Sequence, residues 1–130
     1  SSDVCSSDLL CIDYTSAYST PSLDKLVRIF VYDRQGKGSF TVGDEFTANA
    51  PIRFETAITT QANWKIIDDT HLLLTTGTEQ MTVTIEASGK VAFTSETIEV
   101  NSPAYTRIGI SLKEQSKDGY IRLTMRTKQL

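Results

Sequence analysis

Apolar and polar residues alternate with a period of two along much of this chain, and no segment of useful length carries apolar residues at i, i+3, i+4 and i+7. Period-two alternation puts one set of side chains on a buried face and the other in water, which predicts strands rather than helices. The cleanest cases close the chain. Ile108, Ile110 and Leu112 alternate with Arg107, Gly109, Ser111 and Lys113; Ile121, Leu123 and Met125 alternate with Arg122, Thr124 and Arg126. Met81, Val83 and Ile85 alternate with Thr82, Thr84 and Glu86 in the same way. Each run predicts a strand with one buried and one wet face.

The central stretch Pro51 to Asp69 predicts two strands. Ile52, Phe54, Thr56 and Ile58 form the first, Thr60 to Asn63 a polar turn, and Trp64, Ile66 and Ile67 the second. Trp64 is the only tryptophan and stands in phase with Ile66, which predicts a place between two sheets. Upstream, Leu26 to Tyr32 is a dense β-branched and aromatic run broken only by Arg28, read as a well-buried strand. Turns are expected at Asp33 to Gly38, at Gly43-Asp44, at Thr75 to Thr78, at Ala87 to Lys90 and at Lys117 to Gly119. A further short strand is expected at Ile98 and Val100, stopped by Asn101-Ser102-Pro103.

About nine short strands with regular turn signals predict an all-β fold, an antiparallel immunoglobulin-like β-sandwich forming a single domain over residues 23–130. A closed barrel is the alternative. The core is expected to contain Phe30, Phe54, Trp64, Ile66, Val83, Ile85, Phe93, Ile110 and Leu123.

The first nine residues change the arithmetic. SSDVCSSDL resembles the translation of a sequencing adapter, so residues 1–9 are expected to be non-native and are set apart from the fold. Removing Asp3 and Asp8 lowers the acidic count from 16 to 14 against 13 basic residues, and the net charge moves from −3 to −1. A near-neutral chain without a Lys/Arg cluster argues against nucleic acid and against direct binding to an anionic membrane surface. Cys5 falls in the set-apart stretch, so Cys5 and Cys11 are not read as a disulfide or ligand pair. Residues 10–22 are rich in Ser, Thr and Tyr and are expected to be a linker or lipoprotein tether. Cys11 is then either a lipidated cysteine, the only membrane attachment expected, or an ordinary thiol near the chain's start.

Candidate chemistry is sparse. His71 is the only histidine and has no nucleophile motif beside it, so an enzyme is not expected. Asp68 and Asp69 are hard oxygen donors and weak calcium candidates, but Asp is equally a turn former, and no metal or other cofactor is expected. Aromatic rings stack on sugars, which makes exposed tyrosines the candidate glycan platform. Tyr105 shares parity with Arg107 and Tyr120 with Arg122, so both are expected at the surface, with Thr76 and Thr78 as polar partners.

Gln61-Ala62-Asn63-Trp64-Lys65-Ile66, the Arg107, Gly109 and Leu112 spacing, and a closing strand ending in Gln129 together resemble the BACON domains of Bacteroidetes surface proteins. The resemblance runs from Phe46 to Leu130; PKD-like and other bacterial immunoglobulin-like modules share the same architecture. It implies a non-catalytic spacer module at the bacterial cell surface or in the periplasm, with an outer-membrane lipoprotein as one setting, next to a catalytic or binding domain. The alternatives it implies are a module binding glycan or mucin and a subunit of an assembly built by strand addition.

Overall fold

The structure, a computed structural model, describes residues 3–7, 10–13, 22–33, 38–99 and 104–129, with the backbone alone described for 3–7, 11–13 and 129. In chain order the strands are β1 (Asp3–Ser7), β2 (Leu10–Asp13), β3 (Leu23–Asp33), β4 (Ser39–Ile52), β5 (Glu55–Thr60), β6 (Asn63–Asp68), β7 (His71–Thr75), β8 (Glu79–Ala87), β9 (Val91–Ile98), β10 (Tyr105–Leu112) and β11 (Ser116–Gln129). They form two antiparallel sheets, one of five strands ordered β1-β2-β5-β10-β9 and one of six ordered β3-β4-β11-β8-β7-β6. The fold is an antiparallel β-sandwich.

The period-two pattern explains the packing. Ile121, Leu123 and Met125 of β11 lie opposite Ala87, Ile85 and Val83 of β8. Val42 and Phe46 of β4 flank β11 on its other side. From the facing sheet Ile58, Ile108, Ile110 and Leu112 complete one contiguous core, to which Leu10 also belongs. Phe46 and Phe54 stack across the layers with ring centroids 4.4 Å apart. The buried set includes Phe54, Val83, Ile85, Ile110 and Leu123, while Phe93 and Trp64 are half-buried against it.

Several expectations need correction. Phe30 is 40% exposed and Ile66 42% exposed, so neither is a core residue. Both belong to the outermost strands of the six-stranded sheet, which among the described residues pair on one flank only; the Phe30 ring lies 5.8 Å from that of Phe40. The whole β3 run, expected to be well buried, is instead the most exposed apolar segment described, with Ile29 at 52%, Val31 at 53% and Tyr32 at 63%. Gly43-Asp44 is no turn but the middle of β4, and Lys117 to Gly119 lie inside β11, the chain reversing earlier at Lys113 to Gln115. Ile98 ends β9 rather than starting a new strand, and Val100 lies outside the described residues. Leu10–Asp13, expected in a linker, form β2 and pair with β5; Asp3–Ser7, set apart in the sequence reading, form β1 and pair with β2.

Arg28 inverts its expected role. Its apolar neighbours face water and its own side chain is 5% exposed, turned inward onto Asp44, which is equally buried. Nε donates to Asp44 Oδ1 at 2.5 Å and Nη2 to Oδ2 at 2.6 Å, a bidentate pair that ties β3 to β4. Nη2 also reaches Thr56 Oγ1 of the facing sheet at 3.5 Å. The β3–β4 connection includes Gly38 at φ 84, a left-handed conformation that favours glycine.

Candidate functional site

The outer face of the six-stranded sheet carries the most developed surface feature that involves a candidate residue. On that face β3 presents Val27, Ile29 and Val31, β4 presents Thr41, Gly43 and Glu45, and β11 presents Tyr120, Arg122 and Thr124. Gly43 has no side chain, so the middle of this surface sinks into a groove of about 230 Å³, walled by Ile29 and Val31 on one side and by Tyr120 and Arg122 on the other. Glu45 and Tyr120 also border a second groove of about 480 Å³ that continues past Val27 and Lys25 toward Ser88 and Asp118.

Local structure fixes Tyr120 at the ridge between the two grooves. Its backbone N–H donates to Ser88 Oγ at 3.1 Å, and the Ser88 N–H donates to the Tyr120 carbonyl at 3.0 Å, so the β8–β9 turn grips the start of β11. Gly119 permits that approach. A methyl there would stand 2.5 Å from Ser88 Oγ and 3.0 Å from the Phe46 ring. The Arg122 guanidinium lies 5.3 Å from the centre of the Tyr120 ring, and Arg122 Nη1 donates to Glu86 Oε2 at 3.3 Å. The groove thus joins an apolar wall to an aromatic ring, a cation and the Glu45 carboxylate.

The other sequence candidates do not gather here. Tyr105 begins β10 in the five-stranded sheet and by parity faces outward there, on the opposite side of the sandwich. Thr76 is consumed by its own turn, where Thr76 Oγ1 accepts from the N–H groups of Thr78 and Glu79 at 3.3 and 3.0 Å. Thr78 is exposed in the same turn. Cys11 has its backbone in β2 opposite Thr59, and its side chain lies outside the described residues.

Asp68, Asp69 and His71 occupy the exposed β6–β7 turn. Asp68 Oδ1 accepts from the Thr70 N–H at 2.8 Å, from the Thr70 hydroxyl at 3.0 Å, and lies 2.9 Å from His71 Nδ1. These contacts, the His71 ring first, hold the Asp68 carboxyl down at about 2. Thr70 Oγ1 also meets His71 at Nδ1, at 2.9 Å. Nucleophile–base–orienter chains use both ring nitrogens, one for each partner; here both neighbours share one. Among the described residues no three His, Cys, Asp or Glu side chains converge as metal ligands, and Asp68 is spent on closing its turn.

Glu45, Ile29 and Gly43 are the groove residues that sequence reasoning missed. Their only signal was parity with one another along neighbouring strands, which becomes visible once β3, β4 and β11 are known to be adjacent. Such a chain is, as a class, a small all-β sandwich with one grooved outer face. Comparison with known protein families and with curated proteins finds no match.

Proposed function

We propose that this chain is a non-catalytic structural module of a bacterial cell-surface protein, a rigid spacer that holds a neighbouring domain at a distance. The observation behind this reading is the single core: buried side chains from both sheets pack as one cluster, so the sandwich moves as one body. Its grooved outer face is open and shallow, unlike the enclosed clefts in which chemistry is done. The test is a pair of measurements. Unfolding followed by Trp64 fluorescence and by far-ultraviolet circular dichroism should give coincident, single transitions. A panel of soluble polysaccharides and mucin glycans should give no saturable response. Saturable binding would overturn the spacer reading.

The groove beside Tyr120 favours a second reading, a glycan-binding module. Sugar rings would lie along the Tyr120 and Ile29 walls, with Glu45 and Arg122 taking hydroxyl groups over the floor at Gly43. On this reading Tyr120→Ala abolishes retention on a polysaccharide gel, and Tyr105→Ala, on the far sheet, leaves it unchanged. A methyl at Gly43 would meet only the Arg122 side chain, at 3.8 Å, so Gly43→Ala shallows the groove without a steric clash and should weaken the same retention.

A further inference from the structure

β3 is built unlike a finished edge. Among the described residues it is paired with β4 alone, and its other flank is the margin of the sheet. Natural sheets blunt such margins with short strands, bulges, prolines, surface charges or unpaired charges pointed inward. β3 is 11 residues long, and its ladder to β4 runs without a break from Lys25 to Asp33, its only irregularity lying between Leu23 and Lys25. Between those ends the only charged side chain is Arg28, which points inward but has its charge met by the bidentate bond to Asp44. Val27, Ile29, Phe30, Val31 and Tyr32 are all exposed.

We propose that β3 pairs antiparallel with β3 of a second copy of this chain, about a two-fold axis through Ile29, joining two six-stranded sheets into one continuous sheet. Two features of β3 select that occupant and that register. The regular stretch Lys25–Asp33 has Ile29 at its centre, so pairing that uses all of it must place Ile29 opposite itself. The same register sets Lys25 opposite Asp33 at both ends and Val27 opposite Val31 between them. Centring on Arg28 would oppose two guanidinium groups and leave Lys25 against Val31; centring on Phe30 would leave Asp33 against Val27. A two-fold about a residue matches inner face with inner face. The outer row Val27, Ile29 and Val31 therefore lies alongside the partner's row as one apolar patch two strands wide and about 14 Å long. The main-chain ladder supplies affinity and the end charges supply register. This inference is independent of whether the module is a spacer or binds glycan.

The experiment is sedimentation of the full chain across a dilution series, with variants chosen for register. The unmodified chain should show a reversible monomer–dimer equilibrium. Ile29→Lys puts two ammonium groups beside the axis and should abolish the dimer while leaving the unfolding midpoint of the dilute monomer unchanged, since Ile29 is half exposed. Ile66→Lys, on the opposite edge, should leave the dimer intact. Lys25→Asp and Asp33→Lys, made singly, each set like charges opposite one another and should raise the dissociation constant several-fold; made together they should restore it. A chain that stays monomeric at the highest concentration overturns the proposal, as does a dimer that survives Ile29→Lys. Open-ended growth in place of a dimer, or a double swap no better than either single one, overturns it equally.

Discussion

The two edges of the six-stranded sheet both expose apolar side chains, Ile66 and Ile67 on β6 and the row from Val27 to Tyr32 on β3, yet they are finished differently. β6 has 6 residues, carries the exposed Lys65, and slips register against β7 between Ile66 and Asp68. It is short, charged and bulged, which are three of the ordinary ways of keeping an edge from adding strands. β3 is long and unbroken along its regular stretch, and its charges stand at the two ends, Lys25 and Asp33, or point inward at Arg28. Exposed apolar area by itself therefore says little about an interface. Length and unbroken register decide whether a second strand can lie down.

The largest test of this contrast is the bond that holds β3 in place. Asp44 is 1% exposed and is bonded twice by Arg28, so Asp44→Ala leaves a guanidinium buried without its counter-charge. The expected cost is about 3–5 kcal/mol in urea unfolding. Replacing both partners with apolar residues, Arg28→Met with Asp44→Leu, should recover most of that loss. A cost below about 1 kcal/mol for Asp44→Ala would mean that the backbone ladder alone positions β3, and the contrast between the edges would rest on sequence length only.

That bond also marks the limit of what the chain reveals before it is folded. Ile121, Leu123 and Met125 announce their strand because one face is buried and the other wet, and alternation reports that directly. The run at Leu26 to Tyr32 is apolar on both faces, the same signal that a central buried strand gives, and nothing local says which place in the sheet it takes. Arg28 read as an interruption because its partner stands 16 residues away at Asp44, in a Gly-Asp pair that mimics a turn. The candidate site divides likewise. Parity places Tyr120 at the surface. The groove beside it needs Gly43, Glu45 and Ile29 from other strands, and adjacency of strands is a long-range property.

A smaller effect separates β6 from the strand it leans on. Leu74 of β7 is fully buried, whereas Ile66 of β6 is 42% exposed. Leu74→Ala should cost about 2–5 kcal/mol as a cavity-forming truncation, and Ile66→Ala less than about 1 kcal/mol. Trp64, half-buried opposite Leu74, should fall between them at about 1–3 kcal/mol. Equal losses at Ile66 and Leu74 would show that β6 is packed as firmly as the centre, and the comparison of edges would fail on that side.

Between the edges, Arg122 and Glu86 form an exposed pair with side chains 43% and 58% accessible. A double-mutant cycle should find a coupling of only about 0.2–1 kcal/mol, vanishing in high salt. A larger, salt-resistant coupling would mean that the outer face of β8 and β11 is covered in solution, which would move the interface away from β3.

The smallest effect belongs to the β6 turn and depends on pH. The Asp68 carboxyl is lowered from 3.8 to about 2, first by the hydrogen bond with His71, then by the Thr70 N–H and hydroxyl. A depressed carboxylate contributes stability that is present above its unfolded value and is lost as pH falls through its folded value, so the window runs from about 4 down to about 2. Acid should therefore loosen the turn that ends β6, at the opposite edge of the sheet from β3. Hydrogen exchange reads this directly: amides of Ile66 and Leu72 should lose protection as pH falls from 4 toward 2, once the intrinsic exchange rates are divided out, and amides of β3 should not. Asp68→Asn cannot accept from the turn as a carboxylate does, so it should start from the loosened state and show no step across the window. If β3 and β6 lose protection together, the two edges open as one unit, and their different construction does not govern how they come apart.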